Sequence, residues 1–201
     1  MAYDRKDSWY RRAKQSGFRS RAAYKLIELD RRFGLLRPGA RVVDLGCAPG
    51  GWLQVAARRV GRRGRAVGID KLAIEPLDAA QVEILQADIA AADSLERLRR
   101  ALGGPADTVL SDMAPETSGV GFADHARSVE LARLALDAAC ALLREGGSFA
   151  AKVFDGPDLD ALAQEIAQRF GKLRRVRPEA TRKGSRELYL VALSFRSRAE
   201  P

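Results

Sequence analysis

The sequence predicts an α/β protein with a seven-stranded, mostly parallel sheet, helices on both faces and an antiparallel final hairpin. From Ala40 onward, short apolar runs alternate with stretches of helical spacing, which is the pattern of a parallel sheet covered by helices. The last two apolar runs break this alternation, because only about ten residues separate residues 173–177 from residues 188–195. That gap is too short for a helical crossover, so we expect these two strands to pair antiparallel.

The elements are predicted in a regular order along the chain. Five strands precede the hairpin, at 41–45, 65–69, 82–85, 108–111 and 148–154. Helical spacing predicts helices at 51–60, 94–102, 125–143 and 158–170. Ahead of the sheet, Ser20 is a candidate N-cap for a helix that continues to Phe33. Residues 1–19 show no convincing periodicity, and we expect them to order only partly on their own.

The composition is that of one globular domain spanning residues 1–201, with residues 1–19 as a basic, flexible extension. Hydrophobic residues make up 46% of the chain, and no apolar run approaches the roughly 18 residues needed to cross a membrane. The basic N-terminus lacks the apolar stretch of a secretory signal. Cys47 and Cys140 have no CxxC or Cys/His companions, so we expect neither a disulfide nor a metal site. We expect a cytoplasmic monomer without a membrane or an obligate protein partner.

Charge is segregated along the chain, and both ends are strongly basic. Residues 1–41 carry 12 Lys and Arg against 4 Asp and Glu, and residues 169–201 carry 10 against 3. The segment 42–168 has a net charge of −6 within a total of +9. This pattern predicts that both ends converge on a polyanion such as RNA, although a genome that prefers Arg to Lys would also raise the total charge. The residues expected to join the two basic ends beside the site are Arg19, Arg21, Arg182, Lys183 and Arg186.

A glycine-rich loop, DLGCAPGGW at 44–52, follows the first predicted strand and opens a helix. Its glycines permit a sharp turn and a close approach to a ligand. The GxGxxG pattern of a dinucleotide site is broken by Cys47 and Pro49, but a ligand without phosphates, such as S-adenosyl-L-methionine, does not need it. Asp70 and Asp88 close the next two strands, where they could bind the hydroxyls of a cofactor ribose and an adenine amino group. The alternative is a structural turn whose acids cap helices.

Four charged residues stand in apolar settings. Lys152 lies in a run that predicts a strand buried on both faces, where a charge is unfavourable unless it is paired. Lys25 falls on the apolar stripe of the first predicted helix. Asp112 ends the fourth strand, at the sheet edge where open α/β sheets bind ligands, and Glu187 begins the last strand. Taken singly, each could be an ion-paired or snorkelling residue.

Five segments resemble, in order and spacing, the FtsJ-type (RrmJ-type) ribose 2′-O-methyltransferases of large-subunit ribosomal RNA. They are SRAAYKL at 20–26, DLGCAPGGW at 44–52, SDMAPETSG at 111–119, AKVFDG at 151–156 and SRELYLVA at 185–192. The resemblance covers about residues 20–195 and implies a Rossmann-like fold that binds S-adenosyl-L-methionine. It implies that Lys25, Asp112, Lys152 and Glu187 perform the chemistry. Glu116 is a departure, because bacterial members often have Asn at this position.

The resemblance also implies cofactor contacts beyond the glycine-rich loop. The residues predicted to bind the cofactor are Asp44, Gly46, Gly50, Gly51, Trp52, Asp70, Asp88 and Asp112. In the mechanism that follows, Lys152 is the candidate base for a ribose hydroxyl and Asp112 orients it. The expected partner is ribosomal RNA within the large subunit, methylated on the ribose of a uridine.

Three alternatives to this interpretation stay open at the level of sequence. A transfer RNA anticodon loop is a possible substrate, although APGGW in place of APGSW favours the ribosomal group. Base methylation is disfavoured, because the motif after strand four lacks a second Pro and an aromatic, and because Cys140 and His125 are expected to be structural. A non-catalytic RNA-binding assembly factor would fit the basic ends but would leave a lysine in a core strand without a purpose.

Overall fold

The computed structural model describes residues 7–116 and 118–197. Its strands are β1 Arg41–Leu45, β2 Arg65–Asp70, β3 Val82–Gln86, β4 Ala106–Ser111, β5 Leu143–Phe154, β6 Phe170–Val176 and β7 Glu187–Phe195. Its helices are α1 Ser8–Gln15, α2 Ala23–Phe33, α3 Gly51–Val60, α4 Ser94–Leu102, α5 Gly121–Leu142 and α6 Leu159–Ala167. Among the helices of these described ranges, none is long and apolar enough to span a membrane.

The seven strands form one sheet in the order β3-β2-β1-β4-β5-β7-β6. Strands β3, β2, β1, β4 and β5 run parallel, whereas β7 lies antiparallel between β5 and β6. The predicted fold class is confirmed, including a final hairpin in which only the last strand is reversed. Chain order reverses between β1 and β4, so the carboxyl ends of these strands, at Leu45 and Ser111, flank the position where such sheets bind ligands.

The core is divided between the two faces of the sheet, because successive side chains of a strand point to opposite faces. On one face, α4, α5 and α6 cover side chains such as Val43, Leu45 and Phe149. On the other face, α2 and α3 cover side chains such as Val42 and Ala150. Both faces of the central strands are therefore buried, as the uninterrupted apolar runs predict.

The amino-terminal region contains a helix that the sequence analysis did not predict. The chain forms α1, and the carboxylate of Asp7 caps it by accepting a hydrogen bond from a backbone N–H of the first turn. The guanidinium of Arg12 lies over the rings of Trp9 and Tyr24, at 5.5 and 5.0 Å from their centroids. The sequence analysis did not predict this helix, because so short a helix is stabilised by packing rather than by its own pattern. Residues 1–6 of the predicted extension lie outside the described residues.

Several element boundaries also differ from the expectation. Helix α2 begins at Ala23 without a side-chain cap, because Ser20, the predicted N-cap, instead packs against Gly51 at the start of α3. Helix α5 begins at Gly121 and β5 begins at Leu143, each several residues earlier than predicted. Glycines near both starts weaken the local helix and strand signals, so tertiary pairing rather than propensity sets these boundaries.

A stability prediction follows from the buried carboxylate of Asp30. It accepts a hydrogen bond from the backbone N–H of Leu36 at 2.7 Å and pairs with Arg59 at 2.8 Å, which ties the end of α2 to α3. Asp30→Ala would leave a buried N–H without its partner, so we expect the free energy of unfolding in urea to fall by about 1–3 kcal/mol. Glu96→Ala is the matched control, because it removes an exposed pair with Arg100 and should change stability by less than about 0.5 kcal/mol. Equal losses in the two variants would contradict this prediction.

Candidate active site

A cleft of about 700 Å³ opens at the carboxyl edge of the parallel strands. It is formed by the segments that follow β1, β2, β3 and β4, together with one side chain from β5. Residues predicted from the sequence that line this cleft are Gly46, Asp70, Asp88, Asp112 and Lys152. The structure thus brings candidate cofactor-binding residues and two of the candidate catalytic residues to one place.

Two glycines shape the loop that closes the β1 side of this cleft. Gly46 and Gly50 have φ angles of 72° and 102°, in the left-handed region that side chains disfavour. A Cβ on Gly46 would also collide with the side chain of Met113, which enters from the loop after β4. The glycine-rich loop can therefore pass close to the cleft only with glycine at these positions, and α3 starts directly behind it at Gly51.

The two carboxylates predicted to recognise the cofactor differ in their surroundings. Asp70 accepts hydrogen bonds from the backbone N–H groups of Ala48 and Leu72, each at 2.9 Å, and so fastens the glycine-rich loop to the end of β2. Asp88 lies two residues beyond β3 rather than at its end. A hydrogen bond from a backbone N–H, followed by the charge of Lys71, lowers the pKa of Asp88, which stays ionised at the cleft.

Asp44 is unusual because neither oxygen of its fully buried carboxyl has a hydrogen-bond partner within the described part of the chain. Burial, reinforced by the negative charges of Asp112 and Asp70, raises its pKa well above the usual range. A buried carboxyl without a donor is unfavourable unless something else approaches it. Asp44 therefore has an unmet capacity to accept hydrogen bonds from a cationic or N–H-bearing ligand.

Two lysine–carboxylate pairs lie on the α2/α3 side of the sheet. Lys152 Nζ is 3.0 Å from Oδ1 of Asp112 and also donates to the backbone carbonyl of that residue at 2.5 Å. Lys25 Nζ donates to Oε1 of Glu187 at 2.5 Å. Each lysine is only 8% exposed, so each ammonium is compensated by its own carboxylate. All four residues singled out in the sequence are brought together, and their catalytic role stays a prediction.

Strand register explains why these side chains share a face. Lys152 of β5 is paired directly with Tyr189 of β7, and the side chain of Glu187 lies one strand period further along. Asp112 lies two residues after Leu110, so its side chain points to the same face of the sheet. Helix α2 packs on that face and brings Lys25 to it. A one-residue slip of β7 against β5 would turn Glu187 and Tyr189 to the opposite face.

Tyr189 is a site residue that the sequence analysis did not identify. Its phenol is fully buried and donates a hydrogen bond to Oδ1 of Asp112 at 2.6 Å, while its ring centroid is 5.8 Å from Lys25 Nζ. Burial, then the charges of Asp112 and Glu187, raise the pKa of Tyr189 well above its usual value, so the phenol keeps its proton and acts as a donor. Its position two residues after Glu187 in a strand was the signal that could have revealed it.

Asp112 is the carboxylate that both halves of this cluster share. Burial alone would raise its pKa, but the charges of Lys152 and Lys25 and the hydrogen bonds from Tyr189 and Lys152 together hold it below the usual range. Asp112 is therefore ionised at neutral pH in a buried place. The cluster consists of an ionised Asp that receives two donors and of a second lysine held by Glu187.

Of the five arginines and lysines predicted to contact RNA, two tie neighbouring segments together and three are exposed before β7. Arg19 donates to the carbonyls of Pro49, Glu75 and Pro76, and so braces the glycine-rich loop against the segment after β2. Arg21 pairs with Asp7 and donates to a carbonyl of the β6–β7 connection. The remaining three are exposed before β7: Arg182, Lys183 and Arg186. Arg186 also donates to the backbone carbonyls of Gly121 and Asp155. Their contact with RNA stays a prediction.

Other chemically capable groups are buried in structural roles. Burial, then the neighbouring Asp44 and Asp70, raises the pKa of the Cys47 thiol, which disfavours its nucleophilic thiolate. Cys140 lies within α5, and burial raises its pKa as well. His125 is fully buried, with Nδ1 2.9 Å from the carbonyl of Phe154 and Nε2 accepting from the N–H of Asp158. Glu116 lines the outer cleft, and its backbone carbonyl accepts from Arg127.

The sheet order and the position of the cleft define a Rossmann-type methyltransferase fold. The model of the FtsJ-like methyltransferase family matches residues 18–195, and the chain belongs to this family. A relative in Haloarcula marismortui, named ribosomal RNA large subunit methyltransferase E, is 50% identical over 195 residues, which cover 93% of this chain and 74% of the relative. A relative of the same name in Paramagnetospirillum magneticum is 48% identical over 199 residues, which cover 96% of this chain and 81% of the relative.

A solved structure agrees with this assignment. A crystal structure from Plasmodium falciparum, described as that of a ribosomal RNA methyltransferase, matches with a TM-score of 0.78 and 30% identity. The match covers 90% of this chain and 100% of that chain. The family resemblance inferred from five sequence segments is confirmed, and the chain is an RNA methyltransferase.

The unpartnered carboxyl of Asp44 makes stability depend on pH. Its pKa in the folded state is raised above the unfolded value, so ionisation at neutral pH destabilises the fold, and this effect disappears as pH falls towards the ordinary carboxyl range. Asp44→Asn should therefore raise the thermal unfolding midpoint of the ligand-free protein at pH 7.5, and the gain should shrink at lower pH. The exposed Asp78→Asn serves as the control and should show neither effect. An Asp44 variant less stable at pH 7.5 would contradict the prediction.

Proposed function

We propose that this chain, as a single methyltransferase domain, transfers a methyl group from S-adenosyl-L-methionine to a ribose 2′-oxygen of large-subunit ribosomal RNA. The observation that carries the proposal is the buried cluster of two lysine–carboxylate pairs, which opens into the cleft through Asp112 and Lys152. A ribose hydroxyl is a poor nucleophile, and such a cluster can position it and receive its proton.

The residues of the cleft and of the glycine-rich loop beside it fit the cofactor. Asp44 offers a buried acceptor without a partner in the described chain, which suits a cofactor that carries an ammonium group. Gly46 and Gly50 supply the positive φ angles of the loop beside the cleft, while Asp70 and Asp88 retain acceptor capacity for ribose hydroxyls and an adenine amino group. Gly51 and Trp52 start the helix behind the loop and hold it in place. When bound, S-adenosyl-L-methionine supplies an electrophilic methyl group on a sulfonium.

Lys152 is assigned the proton transfer. Nζ of Lys152, when it acts in its unprotonated form, would receive the proton that the ribose 2′-hydroxyl loses on methylation. Asp112 aims that amine through its carboxylate and its backbone carbonyl, and Tyr189 fixes the carboxylate. Lys25 and Glu187 hold the ribose side of the cluster.

Ribosomal RNA is favoured as the substrate by the relatives and by the charge pattern. The two named relatives are ribosomal RNA large subunit methyltransferases. Both ends of the chain are basic, and Arg182, Lys183 and Arg186 are exposed immediately before Glu187, on the acceptor side of the cluster. We assign the RNA contacts to these three, with Arg19 and Arg21 holding the rim. A uridine within the assembled large subunit is the proposed target, which would place the activity in the cytoplasm.

Replacing Lys152 tests the chemical half of the proposal. Lys152→Ala should lower kcat by roughly 10²–10⁴-fold, because it removes the acceptor of the hydroxyl proton. Calorimetric binding of S-adenosyl-L-methionine should stay near normal, and Lys25→Ala and Glu187→Ala should lower kcat by smaller factors. Lys172→Ala, an exposed lysine on β6, is the matched control and should behave as the unmodified protein. Full activity of the Lys152 variant would remove this residue from the mechanism.

A side-by-side substrate assay tests the biological half. Transfer RNA, naked large-subunit ribosomal RNA and isolated large subunits are each offered with labelled cofactor, and resistance of the methylated position to alkaline hydrolysis locates the methyl group. We expect the label on a ribose, because the 2′-hydroxyl is what distinguishes RNA from DNA at such a site. Among the three substrates, we expect the highest kcat/KM with the isolated large subunit. Methylation of transfer RNA alone would overturn the substrate but not the mechanism, and a label on a base would overturn both.

A further inference from the structure

The large exposed apolar side chains of the described residues follow strands β2 and β4 at the carboxyl edge of the sheet. Across residues 7–116 and 118–197, the large apolar side chains that stand exposed are Leu72 at 66%, Val120 at 59% and Phe122 at 71%. Leu72 lines the cleft. Val120 and Phe122 lie where the segment after β4 enters α5, on a loop that begins at Asp112 of the buried cluster. An aromatic ring held open to water beside a proposed active site indicates a binding surface.

The segment that carries Phe122 is anchored by its own hydrogen bonds. Asp124 accepts from the N–H and hydroxyl of Ser118, each at 2.8 Å, and from the N–H of Gly119 at 3.2 Å. These hydrogen bonds lower the pKa of Asp124, and the one from the backbone N–H of Ser118 has the largest effect. The carboxylate therefore stays ionised and accepts them at neutral pH. The ring is thus presented from a fixed turn at the start of a helix of 22 residues.

Arg186 places this surface on the acceptor side of the cluster. It immediately precedes Glu187, and its guanidinium donates to the carbonyl of Gly121, next to Phe122, at 3.2 Å. The same guanidinium donates to the carbonyl of Asp155, which follows β5. Arg186 nevertheless remains exposed, with further N–H groups available. The exposed ring of Phe122 therefore directly follows the residue that the exposed guanidinium of Arg186 contacts.

We infer that Phe122, flanked by Val120 and Arg186, is a stacking platform for an unpaired nucleobase next to the methylated nucleotide. Single-stranded RNA is bound by aromatic rings that stack on its bases, with cations that contact its phosphates. An uncharged apolar partner would not match the exposed guanidinium beside the ring. This inference rests on the proposed function and adds to it a contact that holds the substrate without taking part in the chemistry.

Three replacements of Phe122 test the stacking platform in the methylation assay with naked large-subunit ribosomal RNA. Phe122→Ala and Phe122→Leu should both raise KM for the RNA, on the order of 10- to 100-fold, because neither offers a ring. Their kcat should change by less than about twofold, since the ring does not touch the reacting atoms. Phe122→Tyr keeps a ring and should retain most of the affinity. Urea unfolding curves of the variants should coincide with that of the unmodified protein, because the side chain is exposed.

A direct binding measurement complements the kinetics. A single-stranded oligoadenylate carrying one 2-aminopurine should change its fluorescence on binding the unmodified protein and Phe122→Tyr, but not the Ala and Leu variants. Recovery of KM by Phe122→Leu would overturn stacking in favour of a simple apolar contact, and an unchanged KM in all three variants would exclude the surface from RNA binding. Failure of the unmodified protein to methylate ribose would instead contradict the proposed function, so the two failures are distinguishable.

Discussion

The pairing of Lys152 with Asp112 is the interaction on which the rest of the site depends. A lysine in the middle of a sheet, 8% exposed, is unfavourable unless a carboxylate meets it, and removing one partner of such a buried pair costs about 3–5 kcal/mol. Asp112 can supply the charge because β4 ends one residue before it, at the point where the sheet order reverses. The topology therefore sets where the pair can form, and the pair opens into the cleft that the same reversal creates.

Much of the fold could be predicted from sequence because strands and helices leave periodic patterns. The proposed catalytic residues could be predicted because they place charge within apolar segments. Strand–helix alternation gave the sheet, and Lys25 and Lys152 stood out because charge is rare on an apolar face. Tyr189 was missed because a tyrosine in an apolar strand is ordinary; its spacing from Glu187 puts it on the same face, but only the structure shows that it meets Asp112. Helix α1 was missed because it is stabilised by contacts with distant residues that no local window contains.

The loops around the cleft are held by side chains that composition alone would assign to the solvent. Arg19 and Arg186 each bridge two segments by donating to backbone carbonyls, and Asp70 and Asp124 do the same by accepting from backbone N–H groups. Such loops have no strand partners, so their polar backbone atoms must be satisfied in this way. Arginines that give the chain its positive charge can thus also hold the loops of the site in place by hydrogen bonding to their backbone carbonyls.

The insertion of β7 between β5 and β6 makes the buried cluster depend on the last strand of the chain. Glu187 and Tyr189 belong to the last strand along the chain, yet they complete a cluster whose first member, Lys25, lies 162 residues earlier than Glu187. The four charged residues and Tyr189 therefore come together only when the last strand has paired with both β5 and β6. A chain that ends before β7 would lack the partners of Lys25 and Asp112 that this strand supplies.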